Sequence, residues 1–298
     1  MSSHATKWIN EGTGSAPALR WSFVTDSPIQ TMGLANEPGT LLVADQSGGM
    51  YLFDRRGKIL AVSRGFLDVR DLSFCERGSG AVAVLGENRI VAVTPALKID
   101  WSIELSEPVL TAAIAPFGEH FAACLSNGVN YIMRSDRKRI AKFETLRPIR
   151  FARFSHTRTE LVLAAEYGFL GVCNFRGEPL WKEKLFSNVG EMAMASDAGL
   201  IALALFAHGI QKYTREGDTA GRYMVEGTPH QIALSESGNR IAMTTLERHV
   251  YWIDLEGNLI WAATSPDVVR KICVSPLGDA MFLGLKNGRI LALEWATP

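Results

Sequence analysis

The sequence predicts an all-β protein, a seven-bladed β-propeller with four antiparallel strands in each blade. Three observations lead to this fold. A large apolar residue recurs at a period of 40 residues without an insertion, short apolar segments alternate with glycine-containing turns, and the two chain ends supply complementary parts of one repeat. The recurring residues are Leu34, Phe74, Ile114, Phe154, Met194, Leu234 and Val274.

The recurring residue lies in the first strand of each repeat. The position two residues before it is also apolar, as in Met32 and Leu72. The residue between these two apolar positions and the residue after the second are mostly small. Alternation at a period of two is typical of a strand, and no stretch sustains the 3.6-residue periodicity of a helix.

Turns divide the rest of each repeat into three further strands. A polar turn follows the first strand, as at 36–39, and an Asn-Gly turn of the kind that favours hairpins follows the second, as at 127–128. A third turn, as at 54–57, precedes the fourth strand. Four strands in 40 residues, repeated seven times, indicate a propeller.

The chain ends predict how the ring closes. The last repeat has room for only two more strands, near 280–285 and 290–295, whereas residues 18–24 have the register of an orphan fourth strand. We therefore expect the N-terminal strand to complete the last blade, which leaves no open ring end. The expected domains are a flexible tail at 1–17 and a single propeller at 18–298.

The tail contains one incongruous pair in a polar stretch, Trp8 and Ile9. An exposed tryptophan is a frequent interface anchor, but this one could equally fold back onto the outer surface of the propeller.

Four tryptophans repeat the periodicity independently. Trp21, Trp101, Trp181 and Trp261 lie 80 residues apart, and small residues stand halfway between them. Large residues beside small ones suit the packing of neighbouring blades, so we interpret these tryptophans as core.

The repeats resemble those of the WD40-like and quinoprotein-dehydrogenase-like propeller superfamily, over residues 18–298. The likeness rests on Gly-x-x-x-Trp segments such as Gly257 to Trp261 and Gly177 to Trp181, whereas the Gly-His and Trp-Asp dipeptides of WD40 repeats are missing. The resemblance implies a fold rather than an activity. Quinoprotein dehydrogenases are usually larger, eight-bladed and exported, often with a vicinal disulfide. This chain has no adjacent cysteines, so no cofactor is expected.

Composition excludes several classes of function. Lys plus Arg and Asp plus Glu number 31 each, so the footprint of a dedicated nucleic-acid binder is absent. Residues 1–17 have no apolar core for a signal peptide, and the longest apolar run, 200–207, is too short to cross a bilayer. The four cysteines show no C-x-x-C spacing and fall in apolar strands. We expect a cytoplasmic protein with buried free thiols, no membrane insertion and no nucleic-acid partner.

The sequence offers little to support catalysis. The six histidines occupy different turns and phases of the repeat, so no plane of the ring gathers the ligands of a metal site. Nucleophile elbows, P-loops and dinucleotide-binding loops are missing from the sequence. We therefore predict no catalytic residue and no metal.

The start of each first strand breaks the apolar pattern. These positions lie at the mouth of the central channel in a propeller, and here they are polar and mostly basic. They are either a solvated lining or a recognition surface for an anionic partner. The candidate residues are Gln30, Arg70, Asp71, Arg150, Glu191, His230, Arg270 and Lys271.

A second basic patch is expected on the opposite face, in the third blade. The matching turns of the fifth and sixth blades are acidic, as at 215–218 and 254–256, so this face is polarised. Such runs are usually solvated turns. The patch consists of Arg134, Arg137, Lys138 and Arg139.

These observations favour a non-catalytic scaffold that presents a rigid propeller surface to protein partners, as one subunit of a larger complex. The alternative is a protein or enzyme that binds a small anionic ligand at the basic channel mouth.

Overall fold

Seven antiparallel sheets form the protein in a computed structural model that describes residues 6–196 and 199–296. The elements of the first half are α1 (Lys7–Asn10), β1 (Thr13–Gly14), β2 (Ala18–Val24), β3 (Ile29–Ala35), β4 (Thr40–Asp45), β5 (Gly49–Phe53), β6 (Ile59–Arg64), β7 (Val69–Phe74), β8 (Ala81–Leu85), β9 (Arg89–Val93), β10 (Ile99–Glu104), β11 (Val109–Ile114), β12 (His120–Leu125), β13 (Val129–Arg134) and β14 (Arg139–Glu144). Those of the second half are β15 (Ile149–Phe154), β16 (Glu160–Ala165), β17 (Leu170–Asn174), β18 (Pro179–Glu183), β19 (Val189–Met194), β20 (Leu200–Leu205), β21 (Gly209–Thr214), β22 (Thr219–Tyr223), β23 (Pro229–Leu234), β24 (Arg240–Thr245), β25 (His249–Asp254), β26 (Leu259–Thr264), β27 (Val269–Val274), β28 (Ala280–Leu285) and β29 (Arg289–Glu294).

Each of the first six blades uses four consecutive strands, from β3–β6 to β23–β26. Successive first strands contact one another, and β27 contacts β3, which closes the ring. We call the face on which the first strands begin the upper face, and the opposite one the lower face. The predicted seven-bladed propeller is confirmed.

The seventh blade joins the two ends of the chain. Strand β2 pairs antiparallel with β29, with Ala18 opposite Glu294 and Trp21 opposite Ala292, and Arg20 forms an ion pair with Glu294. The predicted closure is therefore confirmed, and β2 covers the edge that β29 would otherwise expose.

The periodic tryptophans pack one blade against the next. The indole N–H of Trp21 donates to the Arg55 carbonyl in the following blade at 3.2 Å, and that of Trp181 donates to the Arg215 carbonyl at 2.5 Å. The turn glycine Gly57 has a φ of +80°, and a Cβ there would lie 2.6 Å from the Trp21 ring. Only glycine fits both the conformation and the space. Trp261 is fully buried as predicted, whereas Trp21, Trp101 and Trp181 are half-buried and pack against the core clusters from their edges.

All seven first strands share a break in pairing. In each blade the register of the first strand against the second shifts across the position that begins the repeat, for example between Val69 and Asp71. The extra residue of a β-bulge is unpaired, and its side chain departs from the regular alternation between the two faces of the sheet. Here it points the residues Gln30, Arg70, Leu110, Arg150, Gly190, His230 and Arg270 out of the inter-blade core.

The prediction of a flexible tail is wrong for residues 6–17, and residues 1–5 lie outside the described residues. Helix α1 buries Trp8 and Ile9 against the sixth and seventh blades, and β1 adds a fifth strand to the sixth blade beside β26. The two apolar side chains explain the error, because together with β1 they anchor an otherwise polar segment. Of the two readings of Trp8, folding back onto the outer surface is correct.

The four cysteines are free. Cys75, Cys124 and Cys173 are buried as expected, whereas Cys273 is only half-buried. In the part of the chain that is described, no helix has the length and apolar character needed to cross a membrane.

Candidate functional site at the channel mouth

A cavity of about 470 Å³ occupies the upper mouth of the central channel. All eight candidate residues predicted at the mouth line it. Five of them occupy the bulge position of their blade, and Asp71, Glu191 and Lys271 follow it directly. Thr31, Thr111, Phe151, Arg153 and Gln231 complete its inner wall, and Tyr167 and Phe206 stand at its rim.

The outer ring of the mouth is only partly neutralised. Arg70 forms ion pairs with Asp68 at 3.3 Å and Glu87 at 3.7 Å, and Arg150 lies 3.7 Å from Glu166. Arg270 has no ion pair or hydrogen bond of its side chain within the described ranges, and its side chain is exposed. Arg270 is therefore the cation of this ring that has no direct counter-charge in the described part of the chain.

The layer below holds a buried carboxylate. Glu191 is 4% exposed, forms an ion pair with Lys271, and lies 3.6 Å from the Arg153 guanidinium. Burial alone would raise the pKa of Glu191, but the charges of Lys271 and Arg153 hold this pKa below its usual value. The group is thus ionised at neutral pH and fixes two cations in the channel.

Two polar groups of the same layer lack partners. Oε1 of Gln231, a residue only 7% exposed, and Nδ1 of His230 have no hydrogen-bond partner among the described residues. Burial lowers the pKa of His230 below its usual value; the Glu191 carboxylate opposes this shift, and the cations Lys271 and Arg270 add to it, so the imidazole is neutral at pH 7. By contrast, Asp71 accepts hydrogen bonds from the Thr111 hydroxyl at 2.7 Å and the Ala112 amide at 3.0 Å.

The lower half of the channel has the opposite chemistry. In a cavity of about 200 Å³, His156 lies 3.3 Å from a Glu76 oxygen through Nε2 and 3.4 Å from a Glu236 oxygen through Nδ1. Burial opposes protonation, but the two carboxylates raise the pKa of His156 above its usual value. Sequence reasoning missed this trio, although Glu76, His156 and Glu236 share one position of the repeat.

The second basic patch is placed as expected, on the lower face. Arg134, Arg137, Lys138 and Arg139 are exposed there, but Asp136 lies 3.2 Å from Arg134 and 3.6 Å from Lys138. One carboxylate thus partly compensates two of the four cations.

Nine of the exposed large hydrophobic side chains lie along the outermost strands of the blades. Others lie in turns of the upper face, where sequence reasoning did not look for them. Six of them occupy turns of consecutive blades on one side of the mouth, and we call this set the apolar arc. Among the described residues, the turns of the lower face expose only Phe117 and Leu277 as large hydrophobics. The arc consists of Leu146, Tyr167, Phe186, Phe206, Met224 and Leu246.

Charged and hydrogen-bonding side chains make up most of the mouth. In the described portion of the chain, no cluster of three or more His, Cys, Asp or Glu side chains could hold a metal ion. The carboxylate of Glu191 is engaged by two cations, which does not suit it to act as a general base.

Fold and site together define a seven-bladed β-propeller with a polar upper mouth that several arginines line. The β-propeller domain of Cps50 (Swd1) from Myceliophteria thermophila is similar to this chain with a TM-score of 0.82 and 13% sequence identity, over 94% of this chain and 100% of that one. At this identity the likeness shows the fold alone. No protein-family model and no curated protein sequence matches the chain.

Proposed function

We propose that the protein is a non-catalytic interaction scaffold that binds a protein partner on its upper face. The observation that carries this proposal is the apolar arc beside the channel mouth. Apolar side chains exposed on neighbouring turns of a rigid domain are typical of interaction surfaces, and aromatic residues and arginine are enriched at the centres of such surfaces.

Charge at the mouth supports the same face. Arg270 has no partner within the described ranges, and Tyr167 and Phe206 belong both to the arc and to the cavity rim. A partner segment with acidic groups near an apolar anchor would contact both features at once, since the two adjoin. Free cysteines favour a reducing compartment, so the cytoplasm remains the proposed location.

Capture of partners from native cells with matched variants tests the proposal. Phe186→Ser with Met224→Ser removes side chains of the arc that are 71% and 68% exposed. The control, Phe117→Ser with Leu277→Ser, removes side chains of the lower face that are 47% and 79% exposed. Surface changes cost within about 0.5 kcal/mol each, so both variants should fold. The proposal requires a partner captured by the wild type and the control but lost by the arc variant; the reverse pattern contradicts it.

A small anionic ligand at the mouth is the second candidate function, favoured by Arg270 and by the unpartnered atoms of His230 and Gln231. Melting temperatures in citrate and inorganic phosphate test it. A ligand at a hundred times its dissociation constant adds about 2.7 kcal/mol of stability. The stabilisation should disappear in Arg270→Ala, and equal stabilisation of that variant would exclude this site.

A further inference from the structure

An apolar groove of about 600 Å³ opens on the side of the ring between the third and fourth blades. Phe143 from the third blade and Phe169, Gly171 and Cys173 from the fourth are among its lining residues. At its upper end it reaches Leu146 and Tyr167, and Tyr167 also lines the channel-mouth cavity. The groove is therefore continuous with the apolar arc.

The internal repeat shows what fills the equivalent space at three other junctions. Phe143 and Gly171 are equivalent, three repeats on, to Phe23 and Tyr51, whose rings lie 5.8 Å apart at the junction of the seventh and first blades. Two other junctions also combine a large apolar residue at the position of Phe23 with a tyrosine at the position of Tyr51. At each of them both side chains pack on one core cluster. Those pairs are Ile103 with Tyr131 and Tyr223 with Tyr251.

Four junctions carry a large apolar residue at the position of Phe143, and only the junction of the third and fourth blades lacks the tyrosine that accompanies it at the other three. Phe143 is kept, but glycine stands where the tyrosine is expected, so one aromatic ring is missing beside it. Phe169 leans over Gly171 and forms one wall. Protein interiors are closely packed, so the side chains that line an empty space lose van der Waals contacts.

The repeat also shows where a ring hydroxyl would bind. Tyr251 donates its hydroxyl to the Glu226 carbonyl at 2.9 Å, and the amide of Asp26 donates to the Tyr51 hydroxyl at 3.3 Å. Leu146 is the equivalent residue at the groove. Its main chain forms no hydrogen bond among the described residues, and its side chain is 96% exposed.

From these equivalences we infer that the groove binds a tyrosine side chain of the protein partner, whose ring lies beside Phe143 and whose hydroxyl bonds to the Leu146 main chain. This inference rests on the proposed function, since the groove continues the arc on which the partner is placed. An aromatic anchor in a preformed apolar pocket is the usual centre of binding energy in an interface.

The first test uses the isolated protein and p-cresol, the side chain of tyrosine, in a two-dimensional NMR titration. We expect saturable binding at about 1 mM, within the range that ligand efficiency allows for a small ring. Signals of Phe143, Leu146 and Gly171 should shift, and toluene, which lacks the hydroxyl, should bind several-fold more weakly. The absence of saturable shifts at the groove would overturn the inference, whatever the arc variants show.

Two variants make the test specific. Gly171→Tyr supplies the missing ring from the chain itself and should abolish p-cresol binding. It requires the Phe169 ring to rotate, since its tip lies 2.9 Å from the new Cβ, and the Trp181 carbonyl, 3.0 Å from the new Cβ, to shift by a few tenths of an ångström. If this variant does not fold, Gly171→Val serves, because valine stands at the equivalent position 91. Tyr251→Gly should create a second p-cresol site beside Tyr223. Binding to the wild type with no second site in this variant would contradict the repeat argument.

The last experiment distinguishes two occupants of the groove, a tyrosine side chain of the partner and a free small phenol. Gly171→Tyr should reduce capture of the upper-face partner at least tenfold, and its melting temperature shows that the variant is folded. Unreduced capture by a variant that no longer binds p-cresol would overturn the partner as the occupant, without affecting the proposed function.

Discussion

Trp261 donates its indole N–H to the carbonyl of Ile9 at 3.2 Å, across 252 residues of sequence. The equivalent indoles of Trp21 and Trp181 bond instead to carbonyls in a turn of the next blade. The seventh blade has no such turn, because its third and fourth strands come from opposite ends of the chain. Helix α1 therefore supplies the acceptor that the closure removes, and Trp8 and Ile9 fill the gap.

Removing the Trp8 side chain tests this account. Trp8→Ala should cost about 3 kcal/mol, the lower end of the range for buried tryptophan, because the segment can partly collapse onto Trp261. Chemical denaturation measures the loss, and acrylamide should quench more tryptophan fluorescence in the variant. Lys7→Ala removes only an exposed ion pair with Glu11 and should change stability by less than about 1 kcal/mol. Equal stability of the wild type and Trp8→Ala would show that α1 does not support the closure.

The buried carboxylate of the channel should matter for stability. Glu191→Gln leaves Lys271 and Arg153 without their counter-charge, so it should destabilise the fold. Breaking a fully buried ion pair costs about 3–5 kcal/mol of folding free energy. The loss should be smaller here, because both cations are partly solvated. The pKa of Glu191 is lowered by folding, so its contribution is present above the unfolded value of 4.5 and is lost as pH falls. Denaturation midpoints of the two proteins should thus converge in acid. The exposed Glu104→Gln is the control, and no difference from it would contradict the predicted coupling.

His156 should make stability depend on pH with the opposite sign. Its pKa is raised in the folded state, so its contribution is complete below the unfolded value of 6.5 and disappears as pH rises through the folded pKa. Melting temperatures of wild type and His156→Gln should differ most in weak acid and agree at high pH. Replacing both Glu76 and Glu236 by Gln should remove this pH dependence; its persistence would assign the effect to another group.

The thiols should be free but slow to react. Burial raises the pKa of Cys273 to about 11 and that of Cys173 to about 12. At pH 8 a pKa near 11 leaves only about one thiolate in a thousand, so a disulfide reagent should react rapidly with all four cysteines only in denaturant. An intramolecular disulfide found by mass spectrometry in the native protein would contradict the positions of these side chains.

Periodicity made most of the fold predictable. The strict 40-residue register located the seven first strands, the closing strand 18–24 and the positions that meet at the mouth. Residues outside the register could not be predicted in this way. Helix α1 has no counterpart in the repeats, and Trp8 and Ile9 form too short an apolar pattern to predict a helix. The apolar arc was not predicted because its side chains lie in turns, where the exposure of a residue depends on tertiary packing. The groove at Gly171 was readable as a departure from the repeat.

The location of the bound partner tests the central claim most directly. Hydrogen–deuterium exchange of the protein, alone and with its captured partner, reports which turns the partner covers. We expect protection at 145–148, 184–188 and 224–228 on the upper face, and unchanged exchange at 116–119 and 275–279 on the lower face. Protection confined to the lower turns or to the outer strands would contradict the assignment of the upper face as the binding surface.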